Sequence, residues 1–140
     1  TRPLGLDVGA MTELFDMQDF SYWREQGGLI MSSALGREGV RRFYDPSDKT
    51  FPAFEIARDA FLAGNDILFL DDFVLDKSED QFDTVVATIE LFVRKYREDE
   101  AFAERVDRAD LRQYRLVGRC PVFARAYQEI GGNHNDDEAE

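Results

Sequence analysis

Histidine and cysteine are nearly missing from this chain of 140 residues: there is one of each, His134 and Cys120. A single cysteine excludes an internal disulfide framework and leans toward a reducing compartment without fixing one. One histidine and one cysteine cannot build a zinc site of the usual kinds. Asp16, Asp19 and the acidic C-terminal run lack the spacing of a calcium loop, so no metal and no cofactor is expected. Positive charge is also scarce. Seventeen Lys and Arg stand against 29 Asp and Glu, a formal net charge of −12. That balance argues against a nucleic-acid partner, because phosphates must be neutralised by clustered cations. The densest basic group, Arg37, Arg41 and Arg42, reads as a solvated face. No apolar run approaches the roughly 20 residues of a membrane span, so no membrane partner is expected either. The opening "TRPLGLDVG" lacks an initiating Met and the basic-then-apolar layout of a secretion signal; it is expected to be the start of an excised piece.

What is present is globular in composition, with 44% hydrophobic and 33% charged residues, enough for one core and too little for two ordinary domains. Asp7 can cap a helix carrying Met11, Leu14 and Phe15 on one face. A second helix is expected through Phe20, Tyr22 and Trp23, with its aromatics packed inward, stopped by Gly27-Gly28. Leu29–Ser32 then reads as a short buried strand, and "RRFYDPSDKTFP" as a Pro- and Asp-containing loop. Pro52 suits a helix start and Gly64 its C-terminal cap, with Phe54, Ala57, Ala60 and Phe61 inward.

"NDILFL" (65–70) is a continuous apolar run of the kind found in strands buried on both faces, followed at once by Asp71 and Asp72. Ser78 and Gln81 form a capping box for a helix whose inward stripe is Phe82, Val85, Val86, Ile89, Val93 and Tyr96. A last helix runs from about Glu100 with Phe102, Val106 and Ala109 inward. The pattern decays beyond Arg115, and the acidic end of the chain is expected to be disordered.

Helix, strand, helix, strand, helix, helix implies an α/β fold: two parallel strands joined by a right-handed helical crossover. Two strands cannot close a sheet. A (β/α)8 barrel takes about 250 residues, so the chain would hold only part of one. In such folds ligands sit at the carboxyl ends of the strands, which here are Ser32-Ser33 and Asp71-Asp72. The serines could equally be a turn bonded to local backbone, and the aspartates a loop or helix cap.

The phrases "WREQGGLIMSSALG", "RRFYDP", "FPAFEIARDAFLAGNDILFL" and "FAERVDRA", taken together and in this order, resemble the C-terminal part of the catalytic TIM barrel of glycoside hydrolase family 3, which includes β-glucosidases and β-N-acetylhexosaminidases. The likeness spans Arg2 to Leu116. It implies that Leu29–Ser32 is the seventh barrel strand and Ile67–Leu70 the eighth. Residues 1–118 would then be the barrel segment and 119–140 a divergent tail. The family's nucleophile is an aspartate in a motif of the form S/T-D-x-L-G, which falls here on Ser32, Ser33, Ala34, Leu35 and Gly36. Serine, leucine and glycine match; Ser33 stands where the aspartate belongs.

The resemblance implies hydrolysis of terminal β-linked sugars by a retaining mechanism as the family activity. Ser33 would hold the nucleophile's position, with Ser32, Asp71 and Asp72 near the sugar. Retention needs an ionised carboxylate and an acid/base group about 5 Å away, and a serine hydroxyl is a weak nucleophile without an adjacent base. The chain itself is therefore expected to be inactive. The competing expectation is a non-catalytic module binding carbohydrate or a protein partner. An isolated pair of parallel strands would leave two unpaired edges, so the chain is expected to self-associate or to need the rest of a barrel.

Overall fold

The computed structural model describes residues 2–47, 51–75 and 80–119, with 116–119 as backbone. These residues form a 3-10 turn at Leu4–Leu6 and six α-helices: α1 (Val8–Asp16), α2 (Gln18–Glu25), α3 (Glu38–Tyr44), α4 (Ala53–Leu62), α5 (Gln81–Glu98) and α6 (Glu100–Arg119). Helix boundaries follow local chemistry. The Asp7 carboxylate accepts from the Ala10 N–H at 3.1 Å and starts α1. Helices α2 and α4 end alike. Gly27 and Gly64 take positive φ, at 89° and 119°. In each case the paired backbone bonds of a Schellman cap close the last turn: Gly27 N to Arg24 O with Gly28 N to Trp23 O, and Gly64 N to Phe61 O with Asn65 N to Ala60 O. The Ser78 cap lies outside the described residues; α5 begins with the Asp80 carboxylate accepting from Phe82 N–H.

The expected α/β fold is not found. Among the described residues there is no strand and no sheet, and the architecture is helical. Where two parallel strands were expected, two extended segments touch through one isolated parallel bridge, Met31 to Ile67. The reason is visible in the hydrogen bonds. Ile67 N–H donates to Ile30 O and Ser32 N–H to Ile67 O, the start of a parallel ladder. The next donor, Phe69 N–H, turns instead to the Ser32 hydroxyl at 2.9 Å. Phe69 O is then met by Leu35 N–H, so three residues on one segment span two on the other and the register slips. The segment 65–70 is also not buried on both faces: Ile67 and Phe69 are exposed, as is Met31 opposite.

Burial is instead supplied by helices. One cluster joins Leu6, Leu35, Val40, Phe51, Ala53, Ile56, Ala57, Ala60 and Phe73, with α4 at its centre. Alanines at 53, 57 and 60 let neighbours approach that helix closely. A second cluster links α4 to α6 through Phe61, Phe102 and Ala109. Between them the rings of Phe61, Phe92 and Phe102 meet pairwise at 5.3–5.7 Å in tilted and edge-on contacts.

Three further expectations need correction. Tyr22 and Trp23 lie exposed on α2 rather than in the core. The stretch from Arg41 to Tyr44 is helical, part of α3, not loop. The buried face of α5 is Thr84 and Thr88, while Phe82, Ile89, Val93 and Tyr96 point outward.

Beneath the extended pair sits the most heavily bonded side chain among the described residues. The Asp66 carboxylate, with no side-chain exposure, accepts from Arg24 of α2 and from Arg112 of α6, the latter at 2.7 Å. Ile30 N–H adds a bond at 3.1 Å, and Arg105 of α6 approaches to 3.4 Å. Burial by itself would raise this carboxyl, but the guanidinium bonds from Arg24 and Arg112 and the Ile30 N–H outweigh it and hold the group below its ordinary 3.8. Arg105 is in turn pulled down by burial, against the support of Asp66 and alongside the repulsion of Arg112 and Arg24.

A depressed folded-state pKa means that the contribution of Asp66 is complete above its unfolded value and is lost as pH falls through the folded one. Denaturant titrations are accordingly expected to show stability falling below about pH 4. Asp66→Asn, which leaves three arginines facing no carboxylate, is expected to cost about 3–5 kcal/mol at neutral pH. It should also flatten that acid limb, as read by urea unfolding monitored by circular dichroism.

Candidate functional site

The residues singled out from the sequence lie in two loops, 32–36 and 70–74, which the fold holds side by side. Leu35 N–H donates to Phe69 O and Gly36 N–H to Asp71 O, both at 3.0 Å. Leu35 anchors the first loop in the core and Phe73 anchors the second. Between these anchors the chain must turn out toward solvent, and that places Ser33, Asp71 and Asp72 on the surface.

The two serines have different fates. Ser32 is buried and its hydroxyl accepts from Phe69 N–H, so it is a structural bridge between the segments and not a group facing a ligand. Ser33 is exposed and makes no hydrogen bond to another described residue. Among the described residues no base is hydrogen-bonded to it, and no histidine occurs. No described residue therefore activates the hydroxyl. Asp71 and Asp72 are exposed and have no side-chain partner among the described residues. Asp72 adopts φ of 54°, a left-handed conformation that aspartate tolerates better than most residues. Its carbonyl accepts from Val74 N–H at 3.1 Å, closing a tight turn.

The residue that organises this end of the molecule is Arg41, which the sequence presents only as one of three arginines on a solvated face. From α3 its guanidinium donates to three carbonyls, those of Gly36, Asp72 and Val74, each at 2.8 Å. It lies over the Phe51 ring, 4.0 Å from the centroid. One planar cation therefore ties both loops to the core. The signal that could have found it is its position five residues after the S-S-A-L-G motif, but that spacing has meaning only once α3 is known to fold back over the loop. Gly36 completes the clamp. A Cβ there would overlap the backbone carbonyl of Asp72, so the two loops meet at a distance only glycine permits.

Among the described residues no group of three or more His, Cys, Asp or Glu side chains is placed to hold a metal ion. No helix there is long and apolar enough to cross a membrane. The arrangement is thus a rigid backbone clamp that presents one hydroxyl and two carboxylates to solvent. Such groups can hydrogen-bond a polyol and accept its hydroxyl protons, and they carry no activated nucleophile. Compared with known proteins, the chain matches no family model, no curated protein and no solved structure.

The clamp makes a direct prediction about stability. Gly36→Ala must push the Asp71-Asp72 turn away and is expected to destabilise by roughly 1–3 kcal/mol, the usual range for forced overpacking. Ser33→Ala, which removes only an exposed hydroxyl, is expected to lie within about 0.5 kcal/mol of the parent. Chemical denaturation of the two variants side by side checks both values.

Proposed function

We propose that the chain derives from a retaining β-glycosidase of family 3 type and no longer hydrolyses, with Ser33 in place of the nucleophilic carboxylate. The observation that carries this reading is the pairing of the "SSALG" loop with the Asp71-Asp72 loop. It sets the loop that carries the one mismatched position of the motif alongside the loop that carries two exposed carboxylates. A surface of hydroxyl and carboxylate groups suits carbohydrate, whose ring hydroxyls both donate and accept. The same surface lacks the poised carboxylate pair that retention requires.

A second reading, that of a partner-binding module, is favoured by the apolar face that α5 turns to solvent. An activated sugar separates the two. Dinitrophenolate leaves without protonation, so a 2,4-dinitrophenyl 2-deoxy-2-fluoro-β-glycoside needs a nucleophile but no general acid. The parent chain is expected to release no chromophore and gain no mass. Ser33→Asp, which restores the carboxylate, is expected to gain one fluoroglycosyl unit on intact-mass analysis. Hydrolysis of aryl β-glycosides by the parent would sink the inert reading. An unmodified Ser33→Asp variant would remove the support for a sugar-facing loop and leave the partner-binding module standing.

A further inference from the structure

Helix α5 uses two faces. One packs on the core through buried Thr84 and Thr88 and half-buried Val85 and Phe92. About a third of a turn away runs Phe82, Val86, Ile89, Val93 and Tyr96, in steps of four, three, four and three residues. That alternation is the heptad spacing of a helix-pairing seam, which a single core-facing stripe does not need. Phe82, Ile89, Val93 and Tyr96 are 68, 55, 45 and 42% exposed, and Val86 is half-buried between them. A line of large apolar side chains along a helix of about 27 Å is a contiguous patch and not the scatter normal for a surface.

The charges beside the seam are sorted by sign. Asp83 and Glu90 flank it toward the N-terminus, Arg94 and Arg97 toward the C-terminus. None of the four is in an ion pair with another described residue, although Lys95 is paired with Asp99 at 2.8 Å. On a single helix this sorting has only a modest local use.

We propose that α5 is the interface of a homodimer in which the α5 helices of two copies pack antiparallel about a two-fold axis at the level of Leu91. A two-fold interface must be self-complementary, and this face is so in one direction only. Antiparallel packing brings Asp83 to Arg97 of the second copy and Glu90 to its Arg94. Parallel packing turns the two charged flanks away from each other, so neither pair forms. Antiparallel helices also set their macrodipoles against each other favourably. The surface does not depend on the glycosidase reading, since no residue of the clamp takes part in it.

Sedimentation equilibrium on the full chain is expected to give twice the 16.1 kDa mass of one copy. The variant carrying Ile89→Glu and Val93→Glu should be monomeric with an unchanged circular dichroism spectrum, because both side chains already face solvent. Phe69→Lys, on the other exposed apolar surface, should dimerise as the parent does. Asp83→Arg alone, or Arg97→Asp alone, should weaken the dimer roughly tenfold, since each converts two symmetry-related attractions into repulsions. The two together should restore it to within about threefold of the parent, an exchange that requires the antiparallel direction. A monomeric parent overturns the proposal. So does a dimer that survives Ile89→Glu with Val93→Glu, or one that Phe69→Lys abolishes. Failure of the charge exchange to restore association overturns the antiparallel arrangement.

Discussion

Three segments distant in sequence, α2, the first extended segment and α6, converge on one carboxylate. Asp66 receives Arg24 from α2, the Ile30 N–H from the first extended segment, and Arg105 and Arg112 from α6. Removing a carboxylate from water costs several kcal/mol even after relaxation, so the site is stable only with its guanidinium partners in place. That dependence is directional and exact in register, which apolar packing is not. Phe102 and Ala109 set α6 against α4, but small slides would conserve that contact. Two arginines seven residues apart, both reaching one carboxylate, do not allow a slide. Gln113, bonded to Asp66 O at 3.1 Å, fixes the same register from the next position.

The second constraint is the contest between a hydroxyl and a backbone carbonyl for the Phe69 N–H. A parallel pair is weak without neighbouring strands, since two strands bury little surface and leave two edges. Here the ladder is one bridge long when Ser32 diverts it. The consequence reaches the surface loops. Slipping register by one residue allows Leu35 to turn inward while Gly36 pairs with Asp71, and this creates the contact between the two loops that Arg41 then locks. The same serine that marks a glycosidase-like motif in the sequence is thus what limits the strand pairing in the structure.

Local signals in the sequence were legible and tertiary ones were not. The Asp7 cap, the glycine stops at Gly27 and Gly64, and the apolar period of α4 and α6 each depend on a few adjacent residues, and each is present in the fold. The two apolar runs looked like strands because β-rich hydrophobic segments and short extended linkers share a composition. Only their partners decide between them. Helix α3, with seven residues and one buried side chain, Val40, carries no usable period. The roles of Arg41 and Asp66 were invisible for a different reason. Their partners are carbonyls and arginines between five and 46 residues away, and no spacing rule encodes them.

Helix α5 shows how far periodicity reaches. The stripe from Phe82 to Tyr96 is real, and its recurrence correctly marks a helix; which surface covers the stripe is not contained in the period. The core instead took the face with two threonines. Thr88 satisfies its hydroxyl on the Thr84 carbonyl at 2.8 Å, whereas the Thr84 hydroxyl is buried without a partner. A helix that places its smaller, partly polar face inside and its larger apolar face outside has reversed the usual preference. Hydrophobic burial favours the opposite rotation, so the observed one requires a compensating demand. Inside, the demand is the ring cluster: Phe92, four residues on from Thr88 and on the same face, packs against Phe61 and Phe102. Outside, it is a second surface to bury. A net charge of −12 opposes any association between copies. The apolar seam must therefore supply the affinity, and the sorted charges beside it supply the direction.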